Sequence, residues 1–166
     1  MDSAETVARS YFDAIARHDI DGIASHYSPE VVVDFIGQGI VRGPDGMREF
    51  FRGLFDAVPD AEMLTERVIA GDRDAAVVWR LRGNFTGGPL FGIDATGGWI
   101  EQRGCDVLEF DDEGRVVRNT AYQDGMEMAR AFGMMPPADS PAERAMKQAF
   151  NVGTKAKRAL QNRFGQ

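Results

Sequence analysis

The sequence predicts an α+β domain, a strongly curved and mainly antiparallel sheet wrapped around a long N-terminal helix, followed by a C-terminal helical extension. Three observations predict it. Apolar residues recur at helical spacing in the first sixty residues. The period changes to alternation from residue 61 onward. Two turn signals, Gly71-Asp72-Arg73-Asp74 and Asp111-Asp112-Glu113-Gly114, divide the alternating part into hairpins.

The elements follow in order. Ala4, Val7, Ala8, Tyr11, Phe12 and Ile15 form one stripe behind a Ser3 cap, which predicts a helix over 3–18. Asp19 caps a short second helix, and Pro29 stops it. VVVDFI (31–36) is β-branched and short, hence a strand. Pro44 opens a third helix with the stripe Met47, Phe50, Phe51, Leu54 and Phe55. Strands are expected over 61–70, 75–85, 99–110 and 115–123. The glycine-rich stretch 86–98 reads as a long loop or as the end of an extended hairpin. A short helix over 126–132 precedes Pro136-Pro137, and the capping box Ser140-Pro141-Ala142-Glu143 starts a last helix reaching about Phe164. The domain therefore spans 1–135, and a helical extension spans 136–166.

Composition excludes several function classes. The 166 residues carry a net charge of −7, which disfavours nucleic acid as a partner. The charge is uneven: residues 138–166 carry +4 and residues 1–137 carry −11. A basic helix of this kind is a solvated face or a tail that docks on an acidic body, its own or a partner's. Its apolar seam is Ala145, Ala149, Val152, Ala156 and Leu160. No apolar run has the length of a membrane span, and the first twelve residues lack the pattern of a signal peptide. The single Cys105 fits a reducing, cytoplasmic setting. With one cysteine and two histidines (His18 and His26), no metal site and no cofactor are expected. The glycine loop lacks the phosphate-cradling pattern. Its other role would be a mobile rim over a cavity mouth.

A curved sheet around a helix encloses a conical cavity, so polar residues that face inward are the candidates for chemistry. Tyr11 lies on the apolar stripe of the first helix. Asp106 shares a strand face with Leu108 and Phe110, and Asp34 shares one with Val32 and Ile36. Closing the 111–114 turn places Asp106 across from Asn119. One phenol and two carboxyls are thus expected in one apolar space. Burial disfavours a charged carboxylate, so the pKa of Asp106 is expected to rise. A protonated carboxyl can donate to a developing oxyanion while a better solvated one acts as base. The competing picture is a structural aspartate, ion-paired to Arg80, Arg82, Arg103 or Arg118. Asn119 and Gln123 face inward in the same register and would either orient a substrate carbonyl or hydroxyl or satisfy Asp106 and do nothing else. Trp79, Trp99, Phe51, Phe55 and Phe91, with Phe50 and Phe85, are expected as core and cavity wall.

SYFDAIARHDIDGIASHYSPEVVVDFIG (10–37) and CDVLEFDDEGRVV (105–117) resemble the ketosteroid isomerases of the nuclear transport factor two-like superfamily, whose fold is a cone-shaped α+β domain. The resemblance implies Asp34 as a proton-shuttling base, with Tyr11 and Asp106 as an oxyanion hole. RLRGNFTGGPLFGIDATGGWIEQRGCDVLEF (80–110) is similar to the SnoaL-like polyketide cyclases of the same superfamily. That branch closes rings by intramolecular aldol chemistry and uses an aspartate on the last strand. RNTAYQD (118–124) puts Ala121 at that place, with Asp124 further on and on the other face. The Arg-x-Asp pair of the limonene epoxide hydrolases is absent. These resemblances imply a cofactor-independent enzyme moving a proton within an apolar cyclic ketone, with steroid-like double-bond isomerisation first and polyketide ring closure second. A non-catalytic binding or dimerisation module is the reading from another class. Relatives suggest a homodimer packed through the outer sheet face.

Overall fold

The computed structural model describes residues 3–164. Helices α1 (Ala4–Ala16), α2 (Ile20–Ser25) and α3 (Gly43–Ala57) pack on a sheet built from β1 (Tyr27–Phe35), β2 (Gly39–Arg42), β3 (Glu62–Ala70), β4 (Asp74–Asn84), β5 (Trp99–Phe110) and β6 (Val116–Gln123). Helices α4 (Gly125–Ala131) and α5 (Pro141–Phe164) follow. The strand order is β2-β1-β6-β5-β4-β3, antiparallel except for the parallel β1–β6 pair.

Local chemistry explains the ends of these elements. The Ser3 hydroxyl accepts from the Thr6 amide at 3.2 Å, which caps α1. Glu5 and Arg9 pair one turn apart on its outer face, while Ala8, Tyr11, Phe12 and Ile15 are buried. Asp19 caps α2 by accepting from the Gly22 amide at 2.9 Å. Beyond β5, Asp111 Oδ1 accepts from the amides of Glu113 and Arg115, and Gly114 takes a φ of +77° to close the turn.

Two elements, β1 and β2, differ from the expectation, and the 86–98 stretch takes the first of its two expected forms. Strand β1 starts at Tyr27, four residues earlier than predicted, because Pro29 sits at an irregularity in the β1–β6 pairing where no ladder donor is required. Strand β2 is a four-residue edge strand with little burial, so it carries no alternation signal. The 86–98 stretch is a loop with an isolated Leu90–Ile93 bridge. Its base is held where Phe85 and Gly98 pair, and the amides of Gly87 and Gly88 donate to the carbonyls of Ala57 and Asp56 at the end of α3. A Cβ at Gly87 would stand 1.8 Å from the Asp56 carbonyl oxygen, so this close approach requires glycine.

Helix α5 does not fold back over the body. Its first turn is anchored through Glu143, which is buried and accepts from Arg130 at 2.8 Å and from the Asp139 amide at 2.9 Å, with Lys147 at 3.2 Å. Beyond that turn Ala145, Met146, Ala149, Phe150, Val152, Ala156 and Leu160 are all exposed. The expected docking of this seam on the chain's own acidic surface is therefore not made within one molecule. No described helix is long and apolar enough to cross a membrane.

Candidate active site

Between α1, α3 and the concave face of the sheet lies an apolar cavity. Tyr11, Phe12 and Ile15 of α1 line it, with Phe50, Phe51 and Leu54 of α3 and Phe35 of β1. Met63, Trp79, Leu81 and Ile100 add apolar wall from β3, β4 and β5. The loop contributes Leu90 and Phe91, and Phe132 closes the far side. The polar groups are few: Asp106, Asn119, Gln102, Gln123, Gln38 and the Tyr11 hydroxyl.

Asp106 is the one carboxylate among the lining residues described. It is buried on β5 between a tryptophan and an amide. Trp79 Nε1 donates to Oδ1 and Asn119 Nδ2 donates to Oδ2, both at 2.7 Å. The pairing register differs by two residues from the expectation. Asp106 lies opposite Ala121, and Asn119 opposite Leu108, because Phe110 pairs with Val116 instead of Arg115 and an irregularity between Glu109 and Phe110 shifts the ladder by one residue more. A shift of two preserves the face, so Asn119 still reaches Asp106 as a diagonal neighbour. Burial pushes the Asp106 carboxyl up to about 6, while the bonds from Asn119 and Trp79 hold it down. The arginines that might have paired it are engaged elsewhere: Arg80 with Glu66 and Glu101, Arg82 with Glu62, Arg103 with Glu127, and Arg118 with Glu109.

Trp79 can reach Asp106 because residue 104 is glycine. The two residues are partners across β4 and β5, and a Cβ on Gly104 would stand 2.3 Å from Trp79 Cζ2. The indole thus lies flat on the strand, with its N–H aimed two residues along it.

Tyr11 projects into the cavity from α1, with its ring edge-on to Phe12 and Tyr27. Its hydroxyl is hydrogen-bonded to that of Tyr27, which is buried behind it on β1. Burial, and then the charge of Asp106, push the Tyr11 pKa far above the ordinary phenol value, so the phenol stays neutral. Either hydroxyl can be the donor of this bond, and in the arrangement where Tyr27 donates, Tyr11 keeps its own proton to donate into the cavity.

Asp34 is not part of this site. Val31 and Val33 are buried and Phe35 lines the cavity, so Asp34, one residue out of phase, lies on the opposite face of β1 with Val32 and Ile36. It forms no ion pair among the described residues. Two wall residues are also misplaced by the expectation. Phe55 stacks on His18 at the edge of α3, and Trp99 is exposed at the start of β5. Asn119, Gln123, Trp79, Phe51 and Phe91 do line the cavity as expected. The sequence reading missed Tyr27, Phe35 and Gln102. Gln102 was within reach of it, since alternation from Asp106 places residue 102 on the same face. Asp124 caps α4 by accepting from the amides of Met126 and Glu127.

The family model for the SnoaL-like domain matches residues 8–119, a span that contains most of α1, the strands through β5, the first half of β6 and both Asp106 and Asn119. This chain belongs to the SnoaL-like family. Two curated relatives share its length well. A steroid Δ-isomerase from Nocardioides simplex is 31% identical over 117 residues, covering 70% of this chain and 85% of the relative. The cyclase aurE from Calcarisporium arbuscula is 30% identical over 106 residues, covering 63% and 74%. Among solved structures, TsrD from Streptomyces laurentii superposes with a TM-score of 0.70 at 20% identity, over 81% of this chain and 99% of its own. The SnoaL-like fold thus accounts for the cone and its cavity, and the relatives include both isomerase and cyclase activities.

Proposed function

We propose that this SnoaL-like protein is an acid–base enzyme that removes a proton next to the carbonyl of an apolar cyclic ketone, with Asp106 as base and Tyr11 as hydrogen-bond donor to the carbonyl oxygen. One observation carries the reading: Asp106, the one carboxylate among the described lining residues, is buried in the apolar cavity that Tyr11 also lines, and burial there raises its pKa to about 6. At neutral pH such a carboxylate is mostly ionised yet basic enough to take a proton, as a general base requires. The division of labour suggested by sequence, with Asp34 as base and a protonated Asp106 as donor, is replaced by one in which Asp106 is the base.

The chemistry follows in two halves. Asp106 takes the α-proton, and the electron pair moves onto the carbonyl oxygen as an enolate. The Tyr11 hydroxyl, polarised by Tyr27 behind it, stabilises that charge without needing to reorganise. Returning the proton from Asp106 to a different carbon shifts a double bond, which is isomerisation. Attack of the enolate carbon on a second carbonyl of the same molecule closes a ring, and the resulting alkoxide takes the proton back from Asp106, which regenerates the carboxylate. The ring closure is the second reading. It is favoured by the likeness to the cyclase from Calcarisporium arbuscula.

The test uses a β,γ-unsaturated bicyclic ketone in D₂O. NMR reads α-proton exchange, and ultraviolet absorbance reads formation of the conjugated ketone. Exchange that Asp106→Asn abolishes supports the base. Exchange without conjugation turns the reading from isomerisation toward ring closure. No exchange above the uncatalysed rate would overturn the proposal.

A further inference from the structure

Two polar stations stand on the same face of the same two strands. The first is Asp106 with Asn119. The second is Gln102 with Gln123, where Gln102 Nε2 donates to Gln123 Oε1 at 2.9 Å. Each member of the second pair lies four residues from its counterpart in the first, which separates the stations by about 13 Å along the strands. Both pairs are diagonal, since Gly104 lies opposite Gln123 and Asp106 opposite Ala121. What separates them is small or flat: Gly104 carries the Trp79 indole, and Ala121 offers a methyl group.

The glutamine pair has unused capacity. An amide carries two donors and an acceptor with two lone pairs. Among the described residues, the bond between Gln102 and Gln123 is the one side-chain hydrogen bond either makes. Gln102 Oε1 and Gln123 Nε2 are therefore free, half-buried, and part of the cavity lining. No arginine, lysine or histidine is among the described residues lining the cavity. The station is accordingly suited to a neutral oxygen and not to a carboxylate, which would face Asp106 without any compensating cation.

We infer that Gln102 and Gln123 form a specificity site for an oxygen function at the end of the substrate remote from the reacting carbonyl. The substrate class is a flat, uncharged, polycyclic molecule with oxygen at both ends. One end meets Asp106 and Tyr11, the rings lie on Trp79 between the phenylalanine walls, and a far carbonyl or hydroxyl accepts from Gln123 Nε2. This inference rests on the proposed role of the Asp106 end and adds the reading of the other end.

The experiment compares two rigid phenols, estrone and 17-deoxyestrone, which differ by one carbonyl at the far end. Affinities come from titration calorimetry on the full chain. The wild type is expected to prefer estrone by roughly threefold to tenfold, the worth of one neutral hydrogen bond in a partly dry site. Gln123→Glu keeps the acceptor for Gln102 Nε2 but removes the free donor, and it should abolish or reverse that preference. Gln102→Met/Gln123→Met, with its melting temperature measured alongside, should leave the two probes equal. A counterpart ending in a carboxylate should bind no better than 17-deoxyestrone. Equal affinities in the wild type, an estrone preference that survives Gln123→Glu, or no binding of either phenol would each overturn the inference. Failure of the Asp106 reading shows separately, as α-proton exchange that persists in Asp106→Asn.

Discussion

Asp106 and Glu143 are both buried carboxylates, 7% and 3% exposed, and they have opposite acid–base behaviour. Asp106 sits among aromatic rings and accepts from two neutral N–H groups, and burial raises its pKa to about 6. Glu143, at the root of α5, is held by the Asp139 amide, Lys147 and Arg130, and its pKa falls to about 2. Low solvent exposure alone does not decide the charge of a carboxylate. Asp106 lies deep in an apolar interior, whereas Glu143 is covered near the surface by an amide and two cations, and depth and partners together turn one into a reactive group and the other into an anchor. The cavity carboxylate is costly to keep and available to a ligand, whereas the anchor is fully occupied by the protein.

The largest expected effect separates the two in catalysis. Asp106→Asn should lower the rate of α-proton exchange by roughly 10²–10⁴, the usual worth of a positioned base. Glu143→Gln should leave that rate unchanged. The pH profile sharpens the contrast. If Asp106 is the base, the rate rises as pH passes upward through about 6. A protonated donor at the same position would give a rate that falls there.

Next comes the anchor. Glu143→Ala removes the acceptor for Arg130, Lys147 and the Asp139 amide together, so α5 should lose its tie to the body. Limited proteolysis should then cut within 136–146 much faster than in the wild type, while the 1–135 fragment persists. Because the Glu143 pKa is depressed, its stabilising contribution is present above the ordinary glutamate value and lost as pH falls toward 2. Acid should therefore mimic the variant. Equal cleavage of both proteins would show that α5 is held by other contacts.

Stability breaks the comparison in the opposite sense. The Asp106 pKa is raised above its unfolded value of 3.8. Its burial therefore costs nothing below about pH 4, and the cost grows as pH rises to about 6 and stays constant above that. The difference between 3.8 and about 6 corresponds to on the order of 3 kcal/mol. Asp106→Asn should recover part of this at pH 7, on the order of 1–2 kcal/mol, and little at pH 4. The buried Asn119 Oδ1, which has no hydrogen-bond partner among the described residues, can turn to accept from the new amide. Urea unfolding at the two pH values measures the difference, and a destabilised variant at pH 7 would mean that the carboxylate is structural.

The smallest effect belongs to Asp34→Asn. The side chain lies on the far face of β1, so exchange rate and melting temperature should both stay at the wild-type values. A loss of rate comparable with that of Asp106→Asn would restore Asp34 to the chemistry.

Periodicity made most of the architecture legible. The α1 stripe, the 71–74 and 111–114 turns and the alternation of β5 were each determined by local residue pattern, and so was the inward face of Asp106. Alternation could not choose a face for β1, because VVVDFI (31–36) is apolar on both sides of Asp34. The packing of α1 and α3 on one side of that strand decided it, turning Phe35 inward. Register was similarly out of reach. The pairing of Phe110 with Val116 and the irregularity at Glu109–Phe110 are set by how β5 and β6 fit together, and the two moved Asn119 from opposite Asp106 to diagonal from it. The exposure of α5 was hidden too, since its capping box predicts a helix and says nothing of what covers its face. Local pattern thus determined which segments are helices and strands and which face of β5 meets the core. The choice between Asp34 and Asp106, the Trp79 bond that Gly104 permits and the pairing of Gln102 with Gln123 depend on contacts between residues distant in sequence. Only the closed sheet brings those residues together.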